Sequence, residues 1–198
     1  ILGVGRASLL NTRWETLLQA GFAGCQVIPF GNTGIQQKDN LQGWLTREPK
    51  WLAQHLSTLG LSERQIMLID TPAGDNVYLH QALSVADFVL VIVQPNAACL
   101  GTLDQLDAVL AGYLERERPP QRLYVINQLD ERSAFSLDMV DAFKLRLGDR
   151  PLEVVHREPS ISEALAFATD PLDKLAGSVA CDDINALCRL LIARKKAR

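Results

Sequence analysis

Ile66-Met67-Leu68-Ile69-Asp70-Thr71-Pro72-Ala73-Gly74 is an apolar run closed by a carboxylate, a proline turn and a glycine. An apolar run bounded by turn formers predicts a strand covered on both faces, as in a parallel α/β sheet. Ligands of such sheets gather at the carboxyl ends of the strands, where a carboxylate such as Asp70 can hold a magnesium-bound water. Ala73-Gly74 then lets bare backbone amides approach a phosphate. The stretch reads as half of a nucleotide site. The other half would be a glycine-rich phosphate loop, G-x-x-x-x-G-K-[ST] or a variant, and no segment of the 198 residues supplies it. Gly3-Val4-Gly5-Arg6-Ala7-Ser8 comes nearest, without the spacing or a preceding strand.

Outward from this run, apolar segments alternate with amphipathic ones, the pattern of a mostly parallel sheet with crossover helices on both faces. Strands are expected at Cys25–Phe30, Ile66–Asp70, Ala86–Gln94, Arg122–Asn127 and Leu152–His156. Helices are expected at Glu48–Leu59, with Pro49 in the first turn and Gly60 at the end, and at Thr102–Glu117, with Thr102 as cap. The Leu103, Leu106, Val109, Leu110, Tyr113 and Leu114 spacing gives the latter one apolar stripe. Further helices are read at Ser136–Leu147, at Ser160–Ala168 with a Ser160/Glu163 capping box, and from Asp182 to about Lys196. The polar, glycine-bearing stretch Gly31–Trp44 reads as a surface loop.

Composition narrows the class. With 47% apolar and 22% charged residues the chain suits one soluble globular domain. A net charge of -3 argues against whole-surface nucleic-acid binding, which rests on neutralising many phosphates. Cys25, Cys99, Cys181 and Cys188 form no C-x-x-C pair and read as reduced and mostly buried, pointing to the cytoplasm. The run Phe88–Val93 is far too short to cross a bilayer. The chain begins Ile1-Leu2-Gly3 without an initiator methionine, so a phosphate loop lying upstream is expected.

Asp70 alone would be a turn-capping aspartate, and Asn127 alone a turn residue ending Tyr124-Val125-Ile126-Asn127-Gln128. An asparagine side chain also offers the donor and acceptor that reading an adenine edge requires. Val154-Val155-His156-Arg157-Glu158-Pro159-Ser160 passes from strand to helix at the same end of the sheet. His156 titrates near neutrality, yet no Ser or Cys elbow accompanies it, so triad hydrolysis is not expected and no catalytic residue is assigned.

The order strand, terminal aspartate, Thr-Pro, Ala-Gly resembles the second nucleotide motif of the deviant Walker A ATPases, the ParA/MinD superfamily. Within it, the chain from Trp14 onward resembles the BcsQ (YhjQ) family of cellulose biosynthesis proteins. The resemblance lies in Val27-Ile28-Pro29-Phe30-Gly31, Trp51, Met67-Leu68-Ile69-Asp70-Thr71-Pro72, Leu79-His80-Gln81-Ala82-Leu83-Ser84, Asp87, Asn96-Ala97-Ala98-Cys99 and Val155-His156-Arg157-Glu158. It implies one ParA/MinD-like, P-loop NTPase-type domain across 1–198, N-terminally incomplete and lacking its first strand and phosphate loop. It further implies ATP and magnesium as cofactors, with Asp70, Thr71 and Gly74 on the metal and phosphate side and Asn127, Arg157 and Pro159 around the base. The metal would be held by Asp70 through water.

The implied role is an ATP-binding switch that helps assemble, localise or activate the bacterial cellulose synthase complex. The implied partners are a second copy of the chain, BcsR, BcsE and the membrane-bound synthase, with the protein cytoplasmic and peripheral to the inner membrane through them. ATP hydrolysis is expected of the full-length protein and not of this chain alone. Two other readings stand beside it: a nucleotide-independent adaptor, and a ParA-like partition ATPase using the Arg194–Arg198 basic cluster on DNA. The same cluster, following Leu187, Leu190 and Leu191, permits lipid contact, although cations also suit a helix C-terminus and leucines suit packing on a sheet.

Overall fold

The computed structural model describes residues 14–31, 35–171 and 176–196, so the Gly3–Ser8 run lies outside the described residues, as does the end of the basic cluster. Two compact units emerge, Ile1–Asp87 with Val109–Pro120, and Phe88–Ala108 with Gln121–Arg198.

In the first unit, β1 (Gln19–Ala20) and β2 (Gln26–Val27) pair antiparallel around a 3-10 turn at Phe22–Gly24. The strand expected over Cys25–Phe30 is therefore only two residues long, and Pro29, without an N–H, cannot extend its ladder. The expected loop Gly31–Trp44 is largely helical instead, as α1 (Ile35–Arg47). Its polar run Lys38–Asn40 is exposed, while Leu41, Trp44 and Leu45, at helical spacing, join the core. That core holds Trp14, α2 (Trp51–Ser57) through Trp51 and Leu52, and α3 (Val77–Val85) through Ala82. Trp14 and Trp44 meet the Trp51 ring edge-on at 5.4 and 5.7 Å, and the His55 ring lies 4.5 Å from Trp51.

Gln81 locks α3 to this core. Its Oε1 accepts the Leu52 N–H at 3.0 Å, and its Nε2 donates to Leu45 O at 3.0 Å and Glu48 O at 2.7 Å. A buried amide with every contact matched fixes one register of α3, and with it the loop that enters α3.

Ile66–Asp70 departs most from expectation, because it forms no strand. A strand is stabilised by its neighbours, and no described strand runs beside this segment. Its side chains consequently stay exposed, Leu68 at 80%.

The second unit carries the parallel sheet, ordered β3 (Phe88–Val93), β4 (Gln121–Leu129), β5 (Leu152–His156). Leu123, Tyr124, Val125 and Ile126 of β4 are all no more than 2% exposed, so both faces of the central strand are covered. After β3, Asn96 caps the short α4 (Ala97–Gly101), and Thr102 closes α4 by donating to Cys99 O instead of capping α5 (Leu103–Leu114). Ser133 caps α6 (Ala134–Leu147), whose Met139, Val140, Phe143 and Leu147 are buried. Glu158, not Ser160, caps α7 (Pro159–Ala166), so the expected capping box is absent.

The last helix, α8 (Val179–Lys196), lays Ile184, Leu187, Leu190 and Leu191 against Leu123, Val125 and Val155. Its leucine face is thus occupied by the sheet. Cys25 and Cys188 are exposed, contrary to expectation: the first sits at the β1–β2 turn and the second beside that leucine stripe.

Opposite the α8 face, the Asp107 carboxylate accepts from Arg122 and Arg150, each at 2.8 Å, and from the Tyr124 hydroxyl at 3.1 Å. Partial burial works to raise its pKa, but the Arg150 and Tyr124 hydrogen bonds and the two guanidinium charges outweigh it and hold the carboxyl below its ordinary range.

Candidate functional site

Asp70, Thr71 and Gly74 lie in one loop of the first unit, leading into α3. Asp70 is exposed, and among the described residues no group of three His, Cys, Asp or Glu side chains could enclose a metal. One accessible carboxylate suits magnesium, which keeps most of its waters and takes its other ligands from phosphate. Gly74 has a φ of +86°, a backbone conformation that side-chain-bearing residues avoid, and nothing lies within 4 Å of where a Cβ would stand. The approach to its backbone is open. These residues fit a phosphate and one water of a magnesium shell.

Asn76 organises this loop. Its Oδ1 accepts the Leu79 N–H at 3.0 Å, capping α3, while its Nδ2 donates to Gly74 O at 2.9 Å and Pro72 O at 3.2 Å. Asp75 Oδ1 lies 2.7 Å from His80 Nε2, and His80 Nδ1 lies 2.7 Å from the Tyr113 hydroxyl. A neutral imidazole satisfies both contacts by donating from Nε2 and accepting at Nδ1. Burial raises the Tyr113 pKa, opposed by Arg116 and assisted by Asp75. An open cavity of about 550 Å³ is lined by Asp75, Asn76, Val77, His80, Ser84 and Tyr113. Asp75 and Asn76 are not among the residues that the sequence marks for function, and Tyr113 stands there only as part of the apolar stripe of α5. The Gly-Asp-Asn step before an apolar helix was the available signal, since Asn favours N-caps.

The base-side candidates Asn127, Arg157 and Pro159 gather in the second unit, at the carboxyl ends of β4 and β5. A bulge there skips Gln128, at φ +64°, between the Asn127–Val155 and Leu129–His156 pairs. Asn127 Oδ1 accepts the Gln128 N–H at 3.0 Å, which leaves its Nδ2 uncommitted among the described residues. The Arg157 N–H donates to Leu129 O at 2.8 Å, and its exposed guanidinium lies 3.6 Å from Asp130. Pro159 opens α7, where its missing N–H costs nothing.

His156 is tied more firmly than its sequence context suggested. Asp183 Oδ2 of α8 takes both the His156 backbone N–H, at 2.9 Å, and its Nδ1, at 2.7 Å, while Nε2 lies 3.1 Å from Glu131. The Asp183 hydrogen bond leads in raising the imidazole pKa, against a smaller desolvation effect and with help from Glu131. The side chain is a brace between strand, helix and loop.

The order of these landmarks along the chain matches a known family. The family model described as "Cellulose biosynthesis protein BcsQ" matches residues 2–191. The chain belongs to the BcsQ family. Two BcsQ proteins of Escherichia coli (strain K12) are each 34% identical to it over 187 residues, or 93% of this chain, covering 72% and 70% of their own lengths. The resemblance read from Val27–Gly31, Met67–Pro72 and Val155–Glu158 is borne out, and with it a place in cellulose biosynthesis.

Among solved structures, the septum site-determining protein MinD complexed with Mg-ADP from Pyrococcus horikoshii OT3 superimposes with a TM-score of 0.60 at 18% identity. The match covers 86% of this chain and spans 65% of that MinD chain. The BcsQ-family chain therefore has the expected α/β, MinD-like P-loop NTPase fold. No helix among its described residues is long and apolar enough to cross a membrane.

Proposed function

We propose that this BcsQ-family protein is an ATP-binding molecular switch that assists assembly, localisation or activation of the bacterial cellulose synthase complex. The observation that carries the reading is the Asp70–Gly74 loop: an exposed carboxylate followed by a glycine with unobstructed backbone, in a chain whose fold matches a MinD that holds Mg-ADP. In this reading Asp70 orients a water of the magnesium shell, Thr71 flanks it, and Gly74, without a side chain, lets the loop's backbone amides approach the terminal phosphate. In the second unit Asn127, whose Nδ2 is uncommitted among the described residues, Arg157 and Pro159 are the residues of this reading with a base-side role. Bound Mg-ATP would contribute the terminal phosphate that distinguishes the two states of the switch. In this reading the protein acts as one domain and as a homodimer around two nucleotides.

Titration calorimetry of the full-length protein with Mg-ATP tests the proposal. Micromolar or tighter binding, weakened at least tenfold by Asp70→Ala, is expected; absence of ATP binding would overturn it. A nucleotide-independent adaptor is the competing outcome, in which Asp70→Ala leaves capture of the synthase complex unchanged.

A further inference from the structure

We propose that Asn76 is a positioning residue for the phosphate side of the site, acting through the backbone of Pro72–Asp75; the inference rests on the nucleotide reading above. Helix capping accounts for only half of what its side chain does. A cap needs an acceptor, and Oδ1 supplies it to the Leu79 N–H at 3.0 Å. Serine would serve equally well there. The amide nitrogen is surplus to capping, and both its hydrogens are spent on the loop, on Gly74 O at 2.9 Å and Pro72 O at 3.2 Å. Ala73 O, at 3.5 Å, stands at the edge of the same cluster.

Peptide planarity turns this into a statement about donors. No peptide bond in the described chain is cis, and in a trans peptide the C=O and the next N–H point in opposite directions. Holding the Pro72 and Gly74 carbonyls against Asn76 therefore directs the Ala73 and Asp75 N–H groups away from it, on the loop's outer side. Gly74 lies between them with φ +86° and nothing within 4 Å of its missing Cβ. The Asp75 side chain is tied in turn to His80 Nε2 at 2.7 Å, which anchors that residue to α3. Without the clamp each peptide plane can flip, and the donors an anion would meet become disordered.

The test is Asn76→Ser in the full-length protein, which keeps a neutral cap and removes the clamp. Thermal unfolding should be unchanged, whereas nitrogen-15 order parameters at Ala73 and Asp75 in the nucleotide-free protein should fall from rigid values of about 0.85 to below about 0.6. Mg-ATP affinity should drop about tenfold, the worth of one to two hydrogen bonds, with Mg-ADP affinity within about twofold of wild type. Asn76→Ala, losing cap and clamp together, should show the same affinity loss plus a lower melting point. If the wild type binds neither nucleotide, the switch reading falls and this inference with it. If the wild type binds both and Asn76→Ser keeps a rigid loop or full ATP affinity, the inference alone is overturned.

Discussion

Ile66–Asp70 and Leu123–Asn127 carry nearly the same sequence signature, an apolar run ended by a polar residue, and meet opposite fates. The second is the centre of β4, paired on both edges and buried on both faces. The first has no ladder partner among the described strands and leaves Ile66, Met67, Leu68 and Ile69 exposed. Apolar patterning makes a segment able to be a strand; only neighbouring strands make it one.

Alanine substitution should separate the two regions most sharply. Ile126→Ala in β4 is expected to cost about 3 kcal/mol in denaturant unfolding, through lost burial and the cavity left behind. Leu68→Ala should stay within about 0.5 kcal/mol, because its side chain already meets solvent. Equal losses at the two positions would break the contrast. Next in size is Asp107→Ala, which strips the second unit of the acceptor shared by Arg122, Arg150 and Tyr124. A loss of about 2 kcal/mol is expected. Because the Asp107 carboxyl is held low, its contribution is present above its unfolded value of about 4 and fades as pH falls through the folded one.

The smallest effect tests whether the sheet's end is braced as well as its middle. The folded pKa of His156 is raised, so the bridge to Asp183 stabilises fully below the unfolded value of about 6.5 and is lost as pH climbs through the folded value. Solvent screening limits the gain to about 1 kcal/mol or less. Melting temperature should therefore decline modestly between about pH 6 and pH 8, and His156→Gln should flatten that slope. An unaltered slope in the variant would show the bridge to be energetically silent.

The parallel strands from β3 to β5 and the helices packed on them were legible because their apolar periods are local and agree with their tertiary setting. α1 was not, since its polar run Lys38–Asn40 and Gly43 masked the Leu41, Trp44 and Leu45 stripe. Thr102 and Ser160 fit capping rules by sequence, but the hydroxyl of one turns back to the preceding helix and Glu158 takes the place of the other. At the site, Asp70, Thr71 and Gly74 could be read from one contiguous motif. Asn76 and His80 act through contacts to loop carbonyls and to Tyr113, thirty-three residues beyond His80, and spacing alone carries no trace of such contacts.

The aromatic cluster of α1 and α2 has an optical consequence. All three tryptophans of the chain, Trp14, Trp44 and Trp51, belong to the first unit, with the His55 imidazole against two of them. Indole emission is thus a built-in label for that unit, while the second unit is silent at tryptophan wavelengths. Comparing the emission transition with the far-ultraviolet circular dichroism transition reads directly whether the two units melt as one, with no dye or substitution introduced.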